Sequence, residues 1–422
     1  MNSVQSLVTS DQLEGKHPLP EGWAWTMLGE ATNPTQKRVN PQNYPKLPYI
    51  GMENVEPQTM QLLGTVPASE MRSTADSFSP GDVLYGRLRP YLNKVVSPDF
   101  SGLCSTEFII FRRVPHIHSK YLQYFLNSWD FVKFANSLNA GDRPRVKFEQ
   151  LASYPFPLPP LPEQERIVAR LEELLSDLEA GVAALERVRL GVKRYKASVL
   201  KAACEGKLFG DKVIGKEVLP EGWVWTTLSE ITDRITKGST PTSYGYQYQT
   251  EGINFIKTEN ISSDGTVQNI TAFIDEETNE FLSRSKLLPY DLLFSIAGTI
   301  GRVGIVQEKD LPANTNQALA IIRFLLNKAD IRYTFYYLNS PLIQKLALKS
   351  IVGVGRANLS LENVGNFRFP LPPLEEQQRI VAEVERRLES ARAVESAVEV
   401  GLKRAARLRQ AVLRSAFEGR LK

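Results

Sequence analysis

The segment LPEGWAWTMLGE, beginning at Leu19, returns almost unchanged as LPEGWVWTTLSE from Leu219. Two further segments do the same. PLPPLPEQERIVARLEELL from Pro157 recurs as PLPPLEEQQRIVAEVERRL from Pro370, and SVLKAACEGKL from Ser198 recurs as AVLRSAFEGRL from Ala411. A chain so duplicated must build one architecture twice, which removes most single-domain folds from consideration. The first repeat is offset by 200 residues and the other two by 213, so the length difference lies inside the second copy and the segment after Pro370 is locked in length.

Between these landmarks the copies diverge but keep an outline. YIGMENVE from Tyr49 faces FIKTENIS from Phe255, and KYLQYFLNS from Lys120 faces RYTFYYLNS from Arg332. SPGDVLYGRLRPYLNKV from Ser79 corresponds to LPYDLLFSIAGTIGRVGI from Leu288, whose PYD departs from the PGD of the first copy. Short runs of Ile, Val, Phe and Tyr broken by Gly, Pro and Asn predict strands, with one or two helices such as 120–126 in each copy. The fold class is α+β, with two related globular heads at 1–158 and 207–371 and two long helices at 159–206 and 372–422, in a pseudo-twofold internal repeat. LPEGWxW then opens each head, and its two tryptophans are expected to pack in the core.

The connectors read differently. After PLPPL, which sets an extended entry, apolar residues follow at Ile167, Leu171, Leu174, Leu178, Leu185, Val188, Val192, Tyr195 and Val199, a heptad seam interrupted at Gly181. Ile380, Val384, Leu388, Ala391, Val394, Val398, Leu402, Ala405, Leu408 and Val412 form a comparable stripe. Each helix should run about 43 residues, roughly 65 Å. A helix with one narrow apolar stripe needs a partner, and the chain supplies a twin. The first helix is acidic to Val182 and basic beyond, and the second also ends basic, so antiparallel pairing sets acid against base and suits both helix dipoles. An antiparallel two-helix coiled coil is expected.

At 422 residues, with 42% hydrophobic and 23% charged, the chain is long enough for two cores and far from a disordered composition. No apolar run approaches the roughly 20 residues of a membrane helix. Residues 1–16 match neither a secretory nor a mitochondrial leader, so a cytoplasmic location is expected. Cys104 and Cys204 form no C-x-x-C and are expected to be reduced and partly buried. His17, His116 and His118 are the only histidines, and no metal site is expected. The formal net charge of +4 permits nucleic-acid binding without requiring it, so the distribution of charge decides.

Basic residues cluster in loops among glycines, tyrosines and amides. The first head offers YGRLRPYLNK, with Arg87, Arg89, Tyr91, Asn93 and Lys94, and AGDRPRVK, with Arg143, Arg145 and Lys147. The second offers Lys237, Ser239, Thr240 and Tyr244 in TKGSTPTSYGYQYQ, Arg302 ending AGTIGR, Asn314, Asn316 and Gln317 in ANTNQ, and Arg356 and Asn358 in VGVGRAN. Arg and Lys bind phosphates or guanine edges, Asn and Gln pair with adenine, and glycine permits close backbone approach. Two diverged heads on a twofold-related frame should read a split target whose halves differ, about one helical turn apart, with the helices as the ruler between them.

Catalytic signatures are missing. There is no G-x-x-x-x-G-K-[ST] loop for ATP, and GTIGRVG and GVGR lack the strand and helix context of a dinucleotide or S-adenosylmethionine pocket. NPTQ at Asn33 and NPQN at Asn40 do not make the Asn/Asp/Ser-Pro-Pro-Tyr/Phe loop of an adenine amino-methyltransferase. No catalytic residues are assigned.

Two variable domains, each closing in PLPPLxEQxxI and followed by a long helix, resemble the type I restriction-modification specificity subunit, HsdS. The resemblance covers nearly the whole chain. It implies target recognition domains that each read half of a bipartite DNA sequence, and a coil that helps hold two methyltransferase subunits. It further implies that restriction and translocase subunits join them, with S-adenosylmethionine, ATP and Mg on those partners and no cofactor on this chain. Two other readings stay open: a coiled-coil scaffold whose heads bind proteins, and a self-sufficient methyltransferase.

Overall fold

A computed structural model of the chain describes residues 18–139, 141–209, 219–325, 328–349 and 358–421. Two compact units emerge, Met1–Leu185 with Glu399–Lys422, and Glu186–Val398. Each therefore takes one head and half of each long helix.

The repeated opening segment closes each head. In the first, Pro20 to Trp23 form a turn with Gly22 at φ +81° and Trp23 N–H donating to the Pro20 carbonyl at 3.2 Å. The strand Ala24–Met27 then pairs antiparallel with Pro155–Leu158, immediately before the long helix. The second head repeats this with Gly222 at φ +81°, Trp223 N–H to Pro220, and Val224–Thr227 paired with Arg368–Leu371. Glycine is needed at the third position of such a turn because φ is positive there. So LPEGWxW and PLPPL recur because they are the two sides of one clasp. Trp223 is buried, with its indole N–H donating to Glu376 at 3.0 Å, whereas Trp225 is exposed and lies under the Arg368 guanidinium. The core expectation thus fails for Trp225, which lies on the strand beside the equally exposed Val224, whereas Trp223 closes the preceding turn and packs inward.

The central sheet of the first head runs in the order Asn33–Pro34, Phe108–Arg112, Val83–Gly86, Val95–Val96, and a five-stranded sheet holds Pro48–Ile50 parallel to Gly102–Ser105. The second head repeats the central sheet as Thr232–Lys237, Leu319–Phe324, Leu292–Ser295, Val303–Ile305, and sets Ile253–Ile256 parallel to Ala313–Thr315. The PGD and PYD turns prove equivalent. Asp82 accepts the Ser79 N–H and an Arg112 bond at 2.8 Å, as Asp291 accepts the Leu288 N–H and an Arg323 bond at 2.7 Å. Tyr290, at φ +69°, takes the left-handed place of Gly81.

The long helices are Leu161–Cys204 and Leu374–Phe417. Within the first unit Arg166 reaches the Leu421 carbonyl and Leu185 packs against Gly401; within the second, Lys196 pairs with Glu395 and Arg387 reaches the Leu208 carbonyl. Both halves are antiparallel. The charges, however, are met mainly along each helix, as in Arg166–Glu163, Arg170–Glu173, Arg386–Glu383 and Arg392–Glu389. Side chains three or four apart share a face and reach one another at little entropic cost.

Each head's core is finished by both helices. Ile167, Val168 and Leu171 of one helix and Leu413, Ala416 and Phe417 of the other join the first core, where Phe417 meets Tyr121 and Phe125 at 5.3 Å. Val199, Ala203 and Cys204, with Ile380, Val384 and Leu388, do the same in the second. Both cysteines are buried and free, and burial pushes their thiols well up, Cys204 to about 12. Among the described residues no helix is long and apolar enough to cross a membrane.

Candidate nucleic-acid interface

In the first head the fully buried strand Val83–Gly86 projects the loop 87–94. Four backbone bonds fix it: Gly86 N–H to Lys94 O, Arg87 N–H to Glu107 O, Arg89 N–H to Pro144 O, and Val146 N–H to Arg87 O, all between 2.8 and 3.0 Å. The two basic loops of the sequence are thereby stitched side by side, with Leu88 bridged to Arg145. Arg89 and Asn93 are left-handed, at φ +52° and +41°. Such positions cost on the order of 1–3 kcal/mol each and cluster at functional sites. The side-chain atoms Arg87 Nε, Arg89 Nε, Asn93 Oδ1 and Glu107 Oε2 are buried with no hydrogen-bond partner among the described residues. Buried polar groups are normally satisfied; Arg87 Nε and Glu107 Oε2 offset each other as an ion pair at 3.7 Å, which leaves Arg89 Nε as the buried basic group of the loop without a partner among the described residues.

The second head rebuilds the same frame from a different sequence. Ser295 N–H donates to Arg302 O, Ile296 N–H to Ala318 O and Leu359 N–H to Ile296 O, and Ala297 is bridged to Asn358. Above it opens a cleft of about 700 Å³ between Thr258, Glu259, Gly298, Thr299, Gln317 and Asn358. Gly238 brings the KGSTP segment against this frame; a Cβ there would lie 1.9 Å from the Thr315 carbonyl oxygen. The Thr240 hydroxyl donates to the Gln317 amide oxygen, and Ser239 N–H donates to Thr315 O at 3.2 Å.

The expected site residues divide accordingly. Arg87, Arg89, Arg143, Arg145 and Lys147 share one face of the first head, with Arg143, Arg145 and Lys147 exposed. Tyr91 and Tyr244 are both about half exposed, Tyr244 resting edge-on against Phe281. Asn316, Gln317 and Asn358 line the second cleft, whereas Lys237 ends the strand Thr232–Lys237 and is not part of its lining. Four assignments need correction. Asn314 is fully buried and its amide is engaged by Ser285, Asn279, the Leu282 carbonyl and its neighbour's N–H, so it offers nothing to a ligand. Asn93 is almost fully buried and serves the turn. Lys94 and Arg302 occupy equivalent places and turn inward, the ammonium to the Met52 carbonyl at 2.5 Å and the guanidinium to the Thr258 and Ile261 carbonyls at 3.3 and 3.2 Å. They clamp the turns Met52–Asn54 and Thr258–Asn260. Arg356 lies outside the described residues.

Sequence reasoning missed Glu107, which pairs with Arg145 at 2.8 Å and faces Arg87 at 3.7 Å. It also passed over Glu53 and Glu259, both exposed at those clamped turns, although the shared EN of YIGMENVE and FIKTENIS was the available signal. Among the described residues no group of three or more His, Cys, Asp or Glu is placed to hold a metal.

A family model described as the type I restriction modification DNA specificity domain matches twice, at residues 27–187 and 220–389. The type I restriction enzyme EcoBI specificity subunit of Escherichia coli is 33% identical over 280 residues, 63% of this chain and 58% of that one. The chain thus spans little more than half the length of that relative. The EcoKI specificity subunit of Escherichia coli strain K12 is 26% identical over 427 residues, covering 96% and 90%. A solved chain from a type I R-M system, described by its complex assembly and conformational transition, shares the fold with a TM-score of 0.80 at 24% identity, covering 96% of this chain and all of that one.

Proposed function

The chain belongs to the type I restriction modification DNA specificity family, and from that premise we propose that it is the sequence-reading subunit of a methyltransferase and endonuclease complex. Each head reads one half of a split, asymmetric DNA target. The observation that carries this is the shared frame with unlike side chains: the Leu88–Arg145 bridge of one head is the Ala297–Asn358 bridge of the other. A common frame docks two heads on double-stranded DNA in the same manner, while the side chains it presents select different bases.

In this reading the chain carries no chemistry. Methylation and cleavage belong to partner subunits, two methyltransferase subunits docking along the long helices and restriction subunits joining them, with S-adenosylmethionine, ATP and Mg bound there. The assembly works in the cytoplasm, and the helices set the spacer between half-sites.

The decisive experiment is the methylation motif of a host carrying this chain with its partners. A two-part motif of fixed spacer is expected, and Arg89→Ala should degrade one part while sparing the other. Binding by the purified complex should fall steeply with salt, because phosphate contacts release counterions. Binding indifferent to salt and to DNA sequence would instead favour a protein-binding scaffold.

A further inference from the structure

The heads differ most sharply at the centre of their common frame. The residue bridged to the loop is Arg145 in one and Asn358 in the other, and the residue whose carbonyl receives the loop N–H is Glu107 in one and Ala318 in the other. A carboxylate on a phosphate-binding face repels the backbone it must approach, so Glu107 requires a reason of its own. Its geometry supplies one. Oε1 accepts from Arg145 Nη2 at 2.8 Å, and Oε2, buried and without a hydrogen-bond partner, faces Arg87 Nε at 3.7 Å. The Glu107 side chain is 23% exposed and that of Arg145 is 56%, so the acid lies beneath and the guanidinium above.

A free arginine swings through its long stem and meets any phosphate. One tied to a carboxylate keeps most of its five N–H donors but points them one way. The base edge that accepts two parallel N–H bonds is that of guanine, through O6 and N7, whereas a carboxamide pairs with adenine through N6 and N7.

We propose that Glu107 is a positioning residue that makes Arg145 a guanine reader, and that Asn358 selects adenine at the corresponding place in the other half-site. This rests on the DNA-reading function above and names the bases it leaves open. The test is selection from a random double-stranded library by the full chain assembled with its methyltransferase subunits. Arg145→Ala should erase one guanine from one half of the enriched motif, and Asn358→Ala one adenine from the other. Glu107→Ala should lower discrimination at that same guanine by roughly tenfold or more, with the overall affinity for DNA unchanged or raised because a negative charge is gone. Glu107→Gln, which keeps an acceptor oxygen, should retain most of the preference. A Glu107→Ala complex that weakens on all sequences alike, or keeps its guanine, overturns the positioning role, and loss of a different base in either of the other variants overturns the base assignment. A wild-type complex that enriches no split motif overturns the parent function, and this inference with it.

Discussion

Asp76 lies fully buried on the strand Ala75–Phe78, opposite Cys104, and neither carboxyl oxygen has a hydrogen-bond partner among the described residues. Burial raises its pKa above the ordinary aspartate range, and the charges of Arg38, Arg112 and Arg87 offset this only in part. Between the ordinary and the raised value the folded chain holds a proton that the unfolded chain has released, so stability falls as pH rises through that window and stays lower above it. Asp76→Asn should therefore raise the thermal midpoint at pH 8, with the advantage shrinking as the pH approaches 4; melting curves across that range check it. Individual residues were the least legible part of the sequence. The two basic loops of the first head, far apart in sequence, lie side by side, yet Asn314, Asn93, Lys94 and Arg302 turn inward. Whether a polar side chain faces solvent or a carbonyl depends on strand register and turn geometry, and composition carries neither. Glu107 was passed over for the same reason: its meaning comes from two arginines that are distant in sequence and adjacent in space.

The long helices and their motifs were far more legible, because a heptad repeat and a doubled signature report directly on packing. The EQ of PLPPLxEQ now has a physical account. Gln164, fully buried, accepts the His118 N–H and donates to the His116 and Pro159 carbonyls, tying the helix start to the segment before helix Ser119–Leu126. Gln377 does the same for the Asp330 N–H and the Pro372 carbonyl. Gln164→Ala leaves the buried Pro159 carbonyl and two part-buried backbone groups unpaired and should cost about 1–3 kcal/mol, measured by denaturant unfolding. The seam itself is only partly as expected. Leu175 rather than Leu174 is buried, while Val188, Tyr195, Val394 and Leu408 are exposed. A single heptad stripe assumes one partner; where each helix also lies on a head, its buried face widens to take in Val168 and Val381.

At the scale of the molecule, duplication was legible from three repeated segments, and the family from the same residues. If the helices are the ruler between half-sites, excising one heptad from each, around Leu185 and Gly401, shortens the coil by about 10 Å, or roughly three base pairs at 3.4 Å each. The preferred spacer should contract accordingly, read from a library of half-sites at varied separation; an unchanged spacer would remove the helices from that role. The way each core is completed also bears on how the protein is made. The second head's cluster draws on nothing beyond Leu388, whereas the first head's requires Leu413, Ala416 and Phe417. During synthesis the domain translated later thus has its full complement of side chains first. The domain translated earlier must wait on the ribosome, with Tyr121 and Phe125 uncovered, so chaperone dependence should fall on the first-made half.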